Sequence, residues 1–91
     1  MSNSEAKKLF KIIGRNIKYY RKIYNLKNGK MTQADLAEKV NVSTALIGNL
    51  ESESIEQGIS VYTLWKISQV LEIPVEYLFD GSDFSSRKID K

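Results

Sequence analysis

Apolar residues recur near the start of the chain at helical spacing. Phe10, Ile13, Ile17, Tyr20 and Tyr24 follow one another at steps of three or four, while Lys7, Lys11, Arg15, Lys18 and Lys22 lie off that stripe. The pattern predicts one amphipathic helix over about residues 4–24. Ser4 suits its N-cap, and Glu5 is favourable near the positive end of the helix dipole. The stretch Asn25–Lys30, NLKNGK, reads as a loop, because Asn28-Gly29 tolerates positive φ.

The next run, TQADLAEKVNVSTALIGNLE, breaks its apolar period once, at Asn41. Leu36, Ala37 and Val40 precede the break; Val42, Ile47 and Leu50 follow it. Two short helices, 32–40 and 43–52, accommodate this pattern. Thr32 with Asp35 three residues on is a short form of the capping box, and Ser43 is a second N-cap. Asn41 suits a left-handed turn residue. A fourth helix, 61–71, opens at Ser60 and turns Leu64, Ile67, Ser68 and Leu71 inward. Pro74 opens a last one, 75–79. No strand-like alternation appears. The expected fold class is all-α, a bundle of five helices. The expected domain spans 1–81 with an N-terminally extended first helix, and 82–91 reads as a flexible C-terminal tail with few apolar groups.

Two short helices crossing at a tight turn are the layout of a helix-turn-helix, which suits reading DNA in the major groove. Charge sharpens this. Residues 1–33 carry nine Lys/Arg against Glu5 alone, a net +8, whereas 34–83 carry a net −7. Phosphate binding should therefore lean on the first helix and the segment after it.

Taken in order, the pieces resemble the lambda-repressor-like helix-turn-helix domains, also called the Cro-type or xenobiotic-response-element family. They are a basic first helix (IGRNIKYYRK), Thr32-Gln33, Leu36-Ala37, Val42-Ser43, Ile47 with Leu50-Glu51, then TLWKISQVLEIP and VEYLFDG. The resemblance covers about residues 13–81 and implies a lambda-repressor-like five-helix bundle. It implies that Thr44, Ala45, Gly48 and Asn49 face bases, with Asn49 able to pair adenine. It further implies a salt bridge between Arg21 and Glu51 that locks the recognition helix. Against the family pattern, the segment between helices one and two is about five residues longer, Asn41 replaces the usual glycine, and Glu53 and Glu56 follow the third helix where a basic residue is usual.

The residues themselves add several expectations. Ala37 is small where the third helix crosses the second. Gln33 opens a helix, where its side-chain amide and free backbone N–H groups suit a phosphate oxygen. Ser43, Lys27, Lys30, Lys22 and Tyr19 are further phosphate candidates. Gly48 costs its helix about 1 kcal/mol relative to alanine, for either a close approach to DNA or a tolerated surface position. Trp65 suits either the core edge or, with Val70, Val75 and Tyr77, a candidate dimer surface.

The expected function is a sequence-specific DNA-binding transcriptional regulator of repressor type. It would act in the cytoplasm as a homodimer on a palindromic double-stranded operator, reading it with the helix Ser43–Ser52. The alternative is a protein-binding module of the same fold, of antitoxin or antagonist type, docking a protein partner. With no histidine and no cysteine, the usual zinc ligands and catalytic nucleophiles are missing, and neither an enzyme nor a metal or cofactor is expected. No apolar run approaches the ~18 residues of a membrane span, and no signal peptide opens the chain.

Overall fold

The structure is a computed structural model describing residues 3–52 and 57–82. It contains four α-helices and a closing 3-10 turn, with no strand among the described residues: α1 (Asn3–Asn28), α2 (Gln33–Val40), α3 (Thr44–Glu51), α4 (Val61–Leu71) and the turn Val75–Phe79. The expected tail and the acidic pair Glu53 and Glu56 lie outside the described residues, apart from Ser82.

Three helix starts follow the sequence. Thr32 Oγ1 accepts from Asp35 N–H while the Asp35 carboxylate accepts from Thr32 N–H, at 3.1 and 2.9 Å, closing a capping box. Ser43 caps α3 through Leu46 N–H, and Ser60 caps α4 through Thr63 N–H. At the far end of α2, Asn41 takes the left-handed conformation at φ 63°. It then donates to Glu38 C=O, and Val42 to Ala37 C=O, a helix stop that makes the sharp turn.

The first helix departs from expectation at both ends. Ser4 lies inside α1, not at its cap. The segment 25–28, read as loop, is a further helical turn, and the chain leaves it at Gly29 with φ +106°. The reason is tertiary. Asn25 Oδ1 accepts from Met31 N–H at 2.6 Å, and Met31 is buried in the core, so the connection is pulled tight against a prolonged helix. Lys27 also stands favourably at the negative end of the helix dipole. At 26 residues α1 is about 39 Å long. The last element is a 3-10 turn rather than an α-helix, with Pro74 at its cap position.

One core joins all five elements. Ile13 and Ile17 of α1, Leu36, Ala37 and Val40 of α2, Ile47 and Leu50 of α3, Leu64, Ile67 and Leu71 of α4, and Leu78 pack together, with Phe10, Tyr20 and Tyr24 at its border. A close backbone approach and a buried amide fix α1 in place. Gly14 lies against the α3 backbone so closely that a Cβ there would stand 1.7 Å from Leu50 C=O. Asn16 is fully buried, and its Nδ2 donates to the carbonyls of Leu78, Asp80 and Tyr77 at 2.8, 2.9 and 3.2 Å.

Candidate nucleic-acid interface

The recognition helix is held from behind by an ion pair. Arg21 Nε and Nη2 donate to the two carboxylate oxygens of Glu51 at 2.7 and 2.8 Å, a fork-to-fork geometry. The Glu51 side chain is 1% exposed and that of Arg21 11%. Arg21 Nη1 donates also to Met31 C=O at 3.0 Å, so one guanidinium ties α1, the segment before α2, and α3 together. Gln33 joins the same group: its Nε2 donates to Glu51 Oε1 at 2.9 Å. A buried pair of this kind is a weak net stabiliser, but it specifies one position of α3 relative to α1, and removing either partner strands a charge.

With Ile47, Leu50 and Glu51 turned inward, α3 presents Ser43, Thr44 and Ala45 to solvent at its N-terminal end. Leu46 turns back and packs on the core edge. Gly48 and Asn49 are half-buried. Asn49 Nδ2 donates to Gln57 Oε1 at 3.3 Å, so its amide is engaged with the segment leading to α4. The space that a Cβ at Gly48 would take is bounded by Gln33 Oε1, 3.3 Å away.

Of the expected phosphate-binding residues, Lys22, Lys27, Lys30 and Gln33 lie around the junction of α1 and α2, whereas Ser43 caps α3 and Tyr19 lies well inside α1. Lys22 shares a cleft with Arg21, Asn25, Leu26, Met31 and the cap residue Thr32. Lys27 and Lys30 are exposed on either side of Gly29. Tyr19 is half-buried, edge-on to Tyr20 with ring centroids 4.9 Å apart. At the α2 N-terminus, the Asp35 carboxyl is held below its ordinary value by the backbone and side-chain hydrogen bonds of Thr32. The four residues of the candidate dimer surface separate. Val70 and Val75 pack against the core, and Tyr77 lies 46% exposed with its ring 5.8 Å from that of Tyr20. Trp65 is 47% exposed, beside the exposed Tyr62 and Val61.

Gly14, Asn16 and Asn25 carry much of this arrangement and were not singled out from the sequence. A glycine within a strong helical period signals a close backbone approach, and Asn16 lies beside the apolar stripe. Either sign was available.

With this geometry the family assignment is direct. The helix-turn-helix family model of Cro/C1 type matches residues 17–78, most of the chain, and the protein belongs to that family. It is a helix-turn-helix DNA-binding regulator, of a family that is not one of enzymes. Comparison with curated proteins and with solved structures found no match. No helix among the described residues is long and apolar enough to cross a membrane.

Proposed function

We propose that the protein is a sequence-specific repressor that binds a palindromic operator in the cytoplasm as a homodimer, with α3 in the major groove. The observation that carries this reading is the exposure of Ser43, Thr44 and Ala45 at the N-terminal end of a helix whose other face is locked by Arg21 and Glu51. Recognition helices read bases with that end. Thr44 and Ala45 offer methyl groups to thymine, Asn49 an amide to adenine, and Gly48 a close approach. Ser43, Tyr19, Lys22, Lys27, Lys30 and the main-chain N–H of Gln33 hold phosphates.

A two-fold dimer sets its recognition helices about 34 Å apart, one turn of DNA. Of the candidate dimer residues, Trp65 and Tyr77 are exposed and remain the candidate contacts across the two-fold axis, whereas Val70 and Val75 are packed against the core. The alternative, a protein-docking module, is favoured by the acidic Glu53 and Glu56 after the third helix, which lie outside the described residues, and by the apolar Ala45 and Leu46, of which only Ala45 is exposed while Leu46 is half-buried against the core.

Selection of bound sequences from a random duplex pool tests the proposal. The expected result is a two-fold symmetric consensus, with binding that falls steeply with salt. Three lysines per protomer give a log–log slope of about −5 for the dimer. An absence of any consensus, with a stoichiometric protein partner captured instead, supports the docking module and refutes the repressor.

A further inference from the structure

Gln33 opens α2, and a residue there commonly serves only to hold the DNA backbone. Its side chain in this protein is set differently. A carboxylate accepts hydrogen bonds and donates none, so the contact with Glu51 Oε1 at 2.9 Å commits the Gln33 amide to turning its NH2 inward. Its carbonyl oxygen, Oε1, then lies on the other side, toward Gly48, where a Cβ would stand in tight contact with it at 3.3 Å. Among the described residues no donor meets Gln33 Oε1, and Gln33 is half-buried. The Arg21 fork holds Glu51, and Glu51 holds the amide.

An outward acceptor is the wrong group for phosphate, whose oxygens only accept. In the major groove it has two complements, the exocyclic amines N6 of adenine and N4 of cytosine. We infer that Gln33 is a base-reading residue contributed by α2, with Glu51 as its positioning residue. Gln33 Oε1 accepts a hydrogen bond from an exocyclic amine of the operator across the surface left clear by Gly48. This rests on the DNA-reading function proposed above and adds a base contact from outside the recognition helix.

The test compares sequences selected by the wild-type protein, Gln33→Ala and Gly48→Ala. For Gln33→Ala, discrimination at one symmetry-related pair of positions falls about tenfold, with the remaining consensus unchanged. Gly48→Ala crowds Oε1 and gives a smaller loss at the same positions, with stability close to that of the wild type. Deleting the exocyclic amine from the selected base weakens the wild type and leaves Gln33→Ala unaffected. Purine in place of adenine and pyrimidin-2-one in place of cytosine tell the two bases apart. Uniform weakening on every sequence by Gln33→Ala marks a phosphate contact and overturns the inference, as does an unchanged consensus. A wild-type protein that selects no sequence overturns the repressor reading and this inference with it.

Discussion

Replacing Gly14 with alanine tests how closely α1 and α3 are built together. The added Cβ would lie 1.7 Å from Leu50 O and 2.7 Å from Leu50 C, both backbone atoms that no rotamer change can move. Restoring even a 3.0 Å separation from the oxygen requires the helices to part by about 1.3 Å along that contact. The neighbouring residue is Glu51, so the same movement strains a pair now at 2.7 and 2.8 Å. Overpacking of this kind costs about 1–3 kcal/mol or somewhat more, against a gain of about 1 kcal/mol for alanine in a helix. With the weakened ion pair the net loss is about 1–3 kcal/mol, a sizeable share of the 5–15 kcal/mol typical of a whole domain. Urea unfolding measures it. Gly48→Ala is the internal control, since its Cβ meets only the Gln33 side chain, at 3.3 Å, and no backbone atom, and it is expected to leave stability within about 1 kcal/mol of the wild type. A Gly14→Ala loss below about 1 kcal/mol, or equal effects from the two glycines, refutes the close-crossing argument.

Three further outcomes follow from the same geometry. Glu51→Ala strands Arg21 and releases Gln33, and is expected to cost about 3–5 kcal/mol in thermal or urea unfolding; a loss near 1 kcal/mol contradicts the burial described. Glu72 ends α4 at φ 60°, a left-handed conformation that favours glycine, so Glu72→Gly should stabilise the protein by about 1 kcal/mol, seen as a raised thermal midpoint. Asp35 is held below its ordinary value of 3.8 by the bonds of the capping box, so its contribution is present above that value and is lost as pH falls through the lower, folded one. Asp35→Asn should therefore flatten part of the stability loss as pH falls below 3.8, and identical acid profiles for the two proteins count against the box.

What the sequence made legible was local or carried by the family resemblance. The caps at Thr32, Ser43 and Ser60 each join residues three apart, so side-chain chemistry alone locates them. Arg21 and Glu51 are thirty positions apart, and it was the resemblance to known domains that paired them. The end of α1 was misread because the local signal, Asn28-Gly29, competes with a contact from outside the helix, Asn25 to the buried Met31 segment. Gly14 and Asn16 were missed for a related reason: their partners, Leu50 and the carbonyls of Tyr77, Leu78 and Asp80, are set by how helices cross. Among the residues expected on the outward face of α3, Thr44 and Ala45 are exposed whereas Gly48 and Asn49 are half-buried. The sequence did not indicate that Leu46 folds back on the core, that Asn49 is tied to Gln57, or that Gln33 turns its amide to Glu51.

The buried Asn16 also bears on how the chain is made. Its amide finds its acceptors 61 to 64 positions later, at Tyr77, Leu78 and Asp80. Synthesis at about 5–20 residues per second puts several seconds between the emergence of α1 and the arrival of those carbonyls, whereas helices form within microseconds. Until then, burying Asn16 would leave its NH2 without these acceptors, at a cost of about 1–3 kcal/mol. The nascent protein thus holds α1 with the Asn16 amide short of these acceptors until Tyr77, Leu78 and Asp80 have been made, so the docking of the first helix is completed by the last described element.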